Sequence, residues 1–311
     1  MHEVQPGRQA SAEPKTGISG AILMTSILRG TLAALTFTST IWLAATPAAA
    51  DDYETCAKAS GDQAIAACTR AIDSGRYSGR QLVVLFTNRC VELNDTQSDK
   101  AIADCSQAIR LDPNGANAFS GRAGAYRAKG QYHRAIEDMN QAIRLSPNDA
   151  DMFNNRGLAH HENGQYDRAI EDLNQAIRLN PNLAAAFYNR GNTHQHEDQH
   201  ERAIEDFSQA IRLNPNYADA LLNRGAAYYA ADQYDRAIED FNQTIRLAPN
   251  EAIAFYNRGM SWERKNDLQR ALADFKTFSE LAPSDPDGPK AIERVTRALS
   301  GRHGFRYAVN R

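Results

Sequence analysis

Along most of the chain the apolar positions recur with the spacing of amphipathic helices. Phe187, Arg190, Gly191 and His194 fall at i, i+3, i+4 and i+7, and Phe153, Gly157 and His160, or Phe255, Gly259 and Trp262, take the equivalent slots. A second stripe follows, with Ala203, Phe207, Ala210 and Ile211 in one place and Ala237, Phe241 and Ile245 in another. Two short helices therefore alternate, and the pair itself repeats. Proline stands at Pro113, Pro147, Pro181, Pro215, Pro249 and Pro283, always 34 residues apart. A period of this length predicts an array of stacked hairpins in place of one or two compact globules, because no single hairpin buries its own apolar face.

Local chemistry agrees with that reading. Proline ends each second helix, the asparagine after it (Asn148, Asn182, Asn216 or Asn250) is expected to cap the next first helix, and Arg144, Arg178, Arg212 and Arg246 lie where the helix dipole favours cations. Gly157, Gly191, Gly225 and Gly259 share one phase of the first helix. They are expected to face Ala169, Ala203, Ala237 and Ala271 on the second, letting two backbones approach closely.

The pattern resembles the tetratricopeptide repeat family, whose unit carries W-x₂-L-G-x₂-Y, then A, F, A and a terminal P. Phe187, Gly191, Ala203, Phe207, Ala210 and Pro215 match it in one copy, and Phe255, Gly259, Trp262, Ala271, Phe275 and Pro283 in another. The resemblance implies an all-α, right-handed superhelical solenoid, with six repeats over residues 82–285, a partial repeat or cap over 51–81, and a capping helix and tail over 286–311. The family's leucine before the glycine is replaced by Arg122, Arg156, Arg190, Arg224 and Arg258. Pairs with an acid on the second helix are expected, among them Arg190 with Asp206 and Arg224 with Asp240.

The amino end reads differently. Residues 30–45 are apolar and uncharged, follow Arg29 and precede Ala48, Ala49 and Ala50. That is the layout of a secretory signal over residues 1–50 with cleavage after Ala50, and Met24 offers an alternative start. The run is shorter than the roughly 20 residues of a bilayer-crossing helix, so export with cleavage and no membrane span afterwards is expected, with an uncleaved amino-terminal anchor as the alternative. Cys56, Cys68, Cys90 and Cys105 all lie beyond the cleavage point, and an even count in an exported chain reads as two disulfides. In the repeat register Cys68 and Cys105 take the aromatic slot and Cys90 the glycine slot. Cys90 with Cys105 is therefore the expected bridge, and Cys56 with Cys68 follows by analogy; Cys68 with Cys90 stays open.

The 35 Lys plus Arg against 38 Asp plus Glu give a net charge of −3, which supplies no broad attraction to phosphate and argues against nucleic acid as a partner. A mean hydropathy of −0.58 excludes a multi-span membrane protein. No phosphate-cradling glycine loop, G-x-S-x-G elbow or dinucleotide fingerprint is present. The string from His196 to His200 reads H-E-x-x-H, but the register puts it across a turn, where two histidines lose the shared helical face that a zinc protease needs. An enzyme, a cofactor and a resident metal are not expected. His160, His161, His194, His196 and His200 cluster in adjacent copies and keep a metal-binding or metal-responsive reading as the alternative, beside an envelope assembly factor that binds glycan or lipoprotein.

What remains is a surface. In the resembling family the concave wall is lined by the stripe seven, eleven and fourteen residues after each proline. Here it reads Asn154, Leu158, His161, then Tyr188, Asn192, Gln195, then Leu222, Ala226, Tyr229, then Tyr256, Met260, Glu263. Asn155, Asn189, Asn223 and Asn257 repeat eight residues after proline, where their amides either clamp the backbone of an extended peptide or bond neighbouring helices. The lysines of the family's clamp for chaperone tails are absent. The expectation is a non-enzymatic scaffold, periplasmic or secreted, that binds a protein or peptide, with Tyr188, Tyr229 and Tyr256 as principal contacts.

Overall fold

The computed structural model describes residues 48–94 and 97–309, with side chains over 52–94 and 97–300. The secretory signal expected over residues 1–50 lies outside the described residues apart from the backbone of its last three. Fifteen helices and no strand occur among the described residues. They run as hairpins: α1 (Ala48–Lys58) with α2 (Gly61–Asp73), α3 (Gly79–Leu93) with α4 (Ser98–Leu111), α5 (Ala116–Ala128) with α6 (Tyr132–Leu145), and α7 (Ala150–Glu162) with α8 (Tyr166–Leu179). Then come α9 (Ala184–His196) with α10 (His200–Leu213), α11 (Ala218–Ala230) with α12 (Tyr234–Leu247), α13 (Ala252–Arg264) with α14 (Leu268–Leu281), and the terminal α15 (Asp287–Val309). Each helix packs on its neighbours in sequence, and successive first helices also touch, as α5 does α3 and α9 does α7. The odd-numbered helices thus form the closer inner row, which curves the array into a superhelix with its concave wall on that row.

Three of the four glycines meet first a different partner from the one expected, an aromatic ring. A Cβ on Gly225 would lie 2.6 Å from the Phe241 ring, and on Gly191 2.8 Å from that of Phe207. At Gly191, Gly225 and Gly259 the ring of the second helix occupies the space the missing side chain leaves, whereas Gly157 meets Leu173 at 2.8 Å and the expected Ala169, through its carbonyl, at 3.2 Å. In α3 and α4 the same two slots hold Cys90 and Cys105, which are bonded to each other, so a covalent bridge stands where the last three hairpins stack a ring on a glycine. Cys56 is bonded to Cys68 across α1 and α2. Each bridge restricts the unfolded chain by a loop of this size at about 2–4 kcal/mol.

The asparagines after proline are not caps. Asn182 and Asn216 donate their backbone N–H to the side chains of Asn180 and Asn214, closing small turns around the proline, and the cap position falls one residue later, at Asp149, Leu183, Tyr217 and Glu251. Only Asp149 among these accepts a bond through its side chain, from Asp151. Within each hairpin from α5–α6 to α13–α14 the turn takes one left-handed residue in a constant slot: Gly130, Gly164, Asp198, Asp232 and Asn266. Glycine adopts that conformation without the Cβ clash and aspartate or asparagine tolerates it, so the slot accepts few other types.

An ionic ladder ties the rows together. Arg190 binds both carboxylate oxygens of Asp206, at 2.9 and 2.6 Å, and also reaches Asn174 on the preceding second helix. Arg89, Arg122, Arg156, Arg224 and Arg258 do the same with Asp104, Asp138, Asp172, Asp240 and Asp274, and each takes a Thr, Ser or Asn oxygen on the preceding second helix. Each guanidinium therefore joins three helices and two repeats. Burial pushes the Asp240 carboxyl up, and the hydrogen-bonded Arg224 only partly offsets it.

Candidate functional site

The concave wall is built from one face of each odd-numbered helix, and its residues divide into two kinds. Toward the carboxyl end the wall is consumed by packing. Tyr229 and Tyr256 are buried, each 6 % exposed, and the Tyr256 ring lies 4.9 Å from that of Phe278. Leu222, Asn223, Asn257 and Met260 are buried as well. Tyr188 is half-buried between Phe207 and Tyr217, and burial raises its phenol above the usual value. A Tyr256→Ala change would therefore report the loss of packing more than the loss of a contact surface.

The asparagines bond across repeats. Asn189 donates its amide to Asn154 at 2.9 Å, and Asn223 donates to Asn192 at 2.8 Å and to the Tyr188 hydroxyl at 3.2 Å. Asn155 is exposed, and Leu158, Asn189 and Asn192 are half-buried. The helix-bonding alternative thus describes Asn189 and Asn223, and Asn155 alone of the four is turned to solvent.

Toward the amino end the wall opens into a recess of about 370 Å³. It is lined by α3 through Thr87, Asn88, Val91 and Asn94, by α5 through Asn117, Ser120, Gly121, Gly124 and Arg127, and by α7 through Asn155 and Ala159. Ser120, Gly124 and Arg127 are the stripe residues seven, eleven and fourteen places after Pro113. The recess exists because that copy carries Ser120 where others carry Asn154, Tyr188, Leu222 or Tyr256, and Gly124 where others carry Leu158, Asn192, Ala226 or Met260. A Cβ on Gly124 would come within 2.6 Å of the Asn94 amide, and one on Gly121 within 2.8 Å of the Cys105 sulfur, so the disulfide packs directly against Gly121. Val91, 49 % exposed, offers an apolar contact at the rim. Arg127 is neutralised by Glu162 at 2.7 Å, leaving the lining rich in amides. Reading the stripe one copy earlier finds the small residues, but not the neighbours that turn them into a recess.

Along one rim of the wall, the residue fourteen places after a proline meets the residue fifteen places after the next. Arg127 meets Glu162, the Arg264 guanidinium lies over the Tyr229 ring at 5.7 Å and over that of Tyr234 at 4.8 Å, and Glu263 holds Arg294 at 2.7 Å, four residues short of that place. One rung differs, because His161 meets His196 with ring centres 4.9 Å apart, and Tyr166 lies against both rings. The His161 imidazole is pushed down to about 4, first by burial and then by His196. The titratable groups around it are His196 on α9 and Tyr166 on α8, and the adjacent Glu162 is turned to Arg127. A histidine whose folded pKa is depressed binds its proton more readily in the unfolded chain, so stability falls as pH drops from the ordinary value of 6.5 toward 4. His161→Asn is expected to remove about 1–2 kcal/mol of that loss, allowing for solvent screening. Urea unfolding at pH 7 and pH 4.5 in metal-free buffer measures it; an equal loss in the variant would place the dependence elsewhere.

Models of the tetratricopeptide repeat match residues 184–217, 207–239 and 225–296, and a TPR repeat model matches 123–164 and 160–196. Together they cover residues 123–296 without a break, more than half of the chain. The chain belongs to the tetratricopeptide repeat family. Among solved structures it is similar to PilW, described as a widely conserved type IV pilus biogenesis factor, with 18% identity, a TM-score of 0.62, and coverage of 70% of this chain and 99% of that one. Pseudomonas aeruginosa pilF is similar at 18% identity and a TM-score of 0.61, over 70% and 98% of the two chains. MamA is 28% identical over 52% of this chain and 94% of its own, with a TM-score of 0.49. The first two show a shared fold. No curated protein matches the chain.

The tetratricopeptide register also decides the fate of the H-E-x-x-H string. His196 ends α9, Asp198 is left-handed with φ 57°, and His200 opens α10, so the two histidines do not share a helix. His160 bonds Gln165 at 2.7 Å, and His194 lies 3.7 Å from Asp206 inside the ladder. Among the described residues no group of three or more His, Cys, Asp or Glu is arranged to hold a metal ion.

Proposed function

We propose that this tetratricopeptide array is a non-enzymatic protein-interaction scaffold of the bacterial cell envelope that holds an extended protein or peptide segment along its concave wall. The observation that carries the reading is the recess over α3, α5 and α7, where amides of Asn88, Asn94, Asn117 and Asn155 offer donors and acceptors matched to a peptide backbone beside exposed Val91. Two disulfides in the first two hairpins and the secretory layout of residues 1–50 support export, since such bridges persist in oxidising compartments. In this reading residues 51–81 cap the amino end, 82–285 form the binding array, and 286–311 cap the carboxyl end.

Selection of a random peptide library on the purified protein tests it. Selected peptides are expected to lose at least tenfold in affinity on Val91→Asp or Asn155→Ala, both at exposed positions, and to keep it on Arg246→Ala at the outer end of α12. Recovery of no binding peptide sinks the scaffold reading. Peptides indifferent to both recess changes move the contact surface elsewhere on the wall.

A further inference from the structure

The histidine rung on the rim of the wall is unlike every other rung. Three of the rungs pair a cation with an anion or an aromatic ring, whereas His161 and His196 bring two imidazoles together from adjacent repeats. We propose that this pair binds one borderline divalent transition-metal ion, Cu²⁺ above others, through one ring nitrogen of each histidine with water in the remaining positions.

The hydrogen bonds set His161 up for this. Thr193 has one hydroxyl proton and donates it to the Asn189 carbonyl at 2.8 Å. It therefore accepts from His161 Nδ1 at 3.0 Å, which places the imidazole proton on Nδ1 and leaves Nε2 with its lone pair. A ligating histidine is held in its tautomer by such a bond from its other nitrogen. The ring spacing fits as well. With metal–nitrogen bonds of about 2.0–2.1 Å, two imidazoles on one ion have centres roughly 4.5–5.5 Å apart. The observed separation is 4.9 Å with the rings inclined at 70°. His196 is exposed, so water reaches the pair. The nearby Arg127 is neutralised by Glu162 and does not oppose a cation. Imidazole ligands and the usual affinity order put Cu²⁺ first.

Titration of the purified protein with Cu²⁺, followed by electron paramagnetic resonance, tests the site. One ion showing hyperfine coupling to two nitrogens is expected. His161→Ala and His196→Ala should each weaken that binding at least tenfold, Thr193→Val should weaken it severalfold by freeing the tautomer, and His200→Ala should leave it unchanged. Exposed His196 carries the test should His161→Ala fail to fold. Uptake by the His196→Ala variant equal to that of the wild type, or a signal with one nitrogen or none, overturns the proposal. Peptide selection does not enter this measurement, so it stands or falls apart from the scaffold reading.

Discussion

Gly225→Val is expected to destabilise the array by about 3 kcal/mol, the upper part of the usual cost of overpacking. The new Cβ would stand 2.6 Å from Cε1 and 2.9 Å from Cδ1 of Phe241, well inside contact distance. Phe241 is fully buried, so its ring has no open space to enter and the two helices must separate. The gain in helix propensity from replacing glycine, roughly a few tenths to 1 kcal/mol, is smaller than that. Urea unfolding of Gly225→Val, Phe241→Ala and the double variant forms a cycle. The double variant should lose at least 1 kcal/mol less than the two single losses combined, since the cavity left by the ring accepts the new methyls. Additive losses would mean that the ring and the glycine do not share that space.

Asp240→Ala is expected to cost about 3 kcal/mol, because it leaves the Arg224 guanidinium, 19% exposed, with Ser208 as its remaining partner in the ladder. Arg224→Leu combined with Asp240→Leu should cost less than Asp240→Ala alone, since replacing both members of a buried pair removes the desolvation penalty along with the attraction. The raised Asp240 carboxyl points the same way: burial of the charge works against the pair that holds it. Thermal unfolding of the two variants and of the unaltered protein decides. A double replacement that is the worst of them would make the ion pair a net source of stability. Because Arg224 touches three helices, the loss should extend to the junction with the preceding repeat.

Most of the architecture could be read from order along the chain. The constant spacing of six prolines and the phase of the glycines depend on residues within one hairpin, and nearest-neighbour stacking repeats the same solution down the array. For that reason the helices, the stacking and the Arg190–Asp206 type of pair were all legible. The wall was harder to read. A stripe count identifies which face a residue belongs to but not what covers it. Tyr229 and Tyr256 were read as contacts because aromatics concentrate binding energy, yet both are buried where α12 to α15 close over them. Ser120 and Gly124 carry little signal of their own, and only their neighbours on α3 and α7 turn their small size into a recess.

Residue order alone was enough for the repeat, the helix pair within it, the arginine ladder and the turn that divides the H-E-x-x-H string, because each follows from spacing inside one unit or between adjacent copies. Tertiary structure alone decided which side chains of the wall are spent on packing, where the wall opens, and that His161 meets His196 across a repeat boundary. Those outcomes depend on the volume of side chains contributed by two or three different hairpins at once, and a one-dimensional pattern does not add volumes across space.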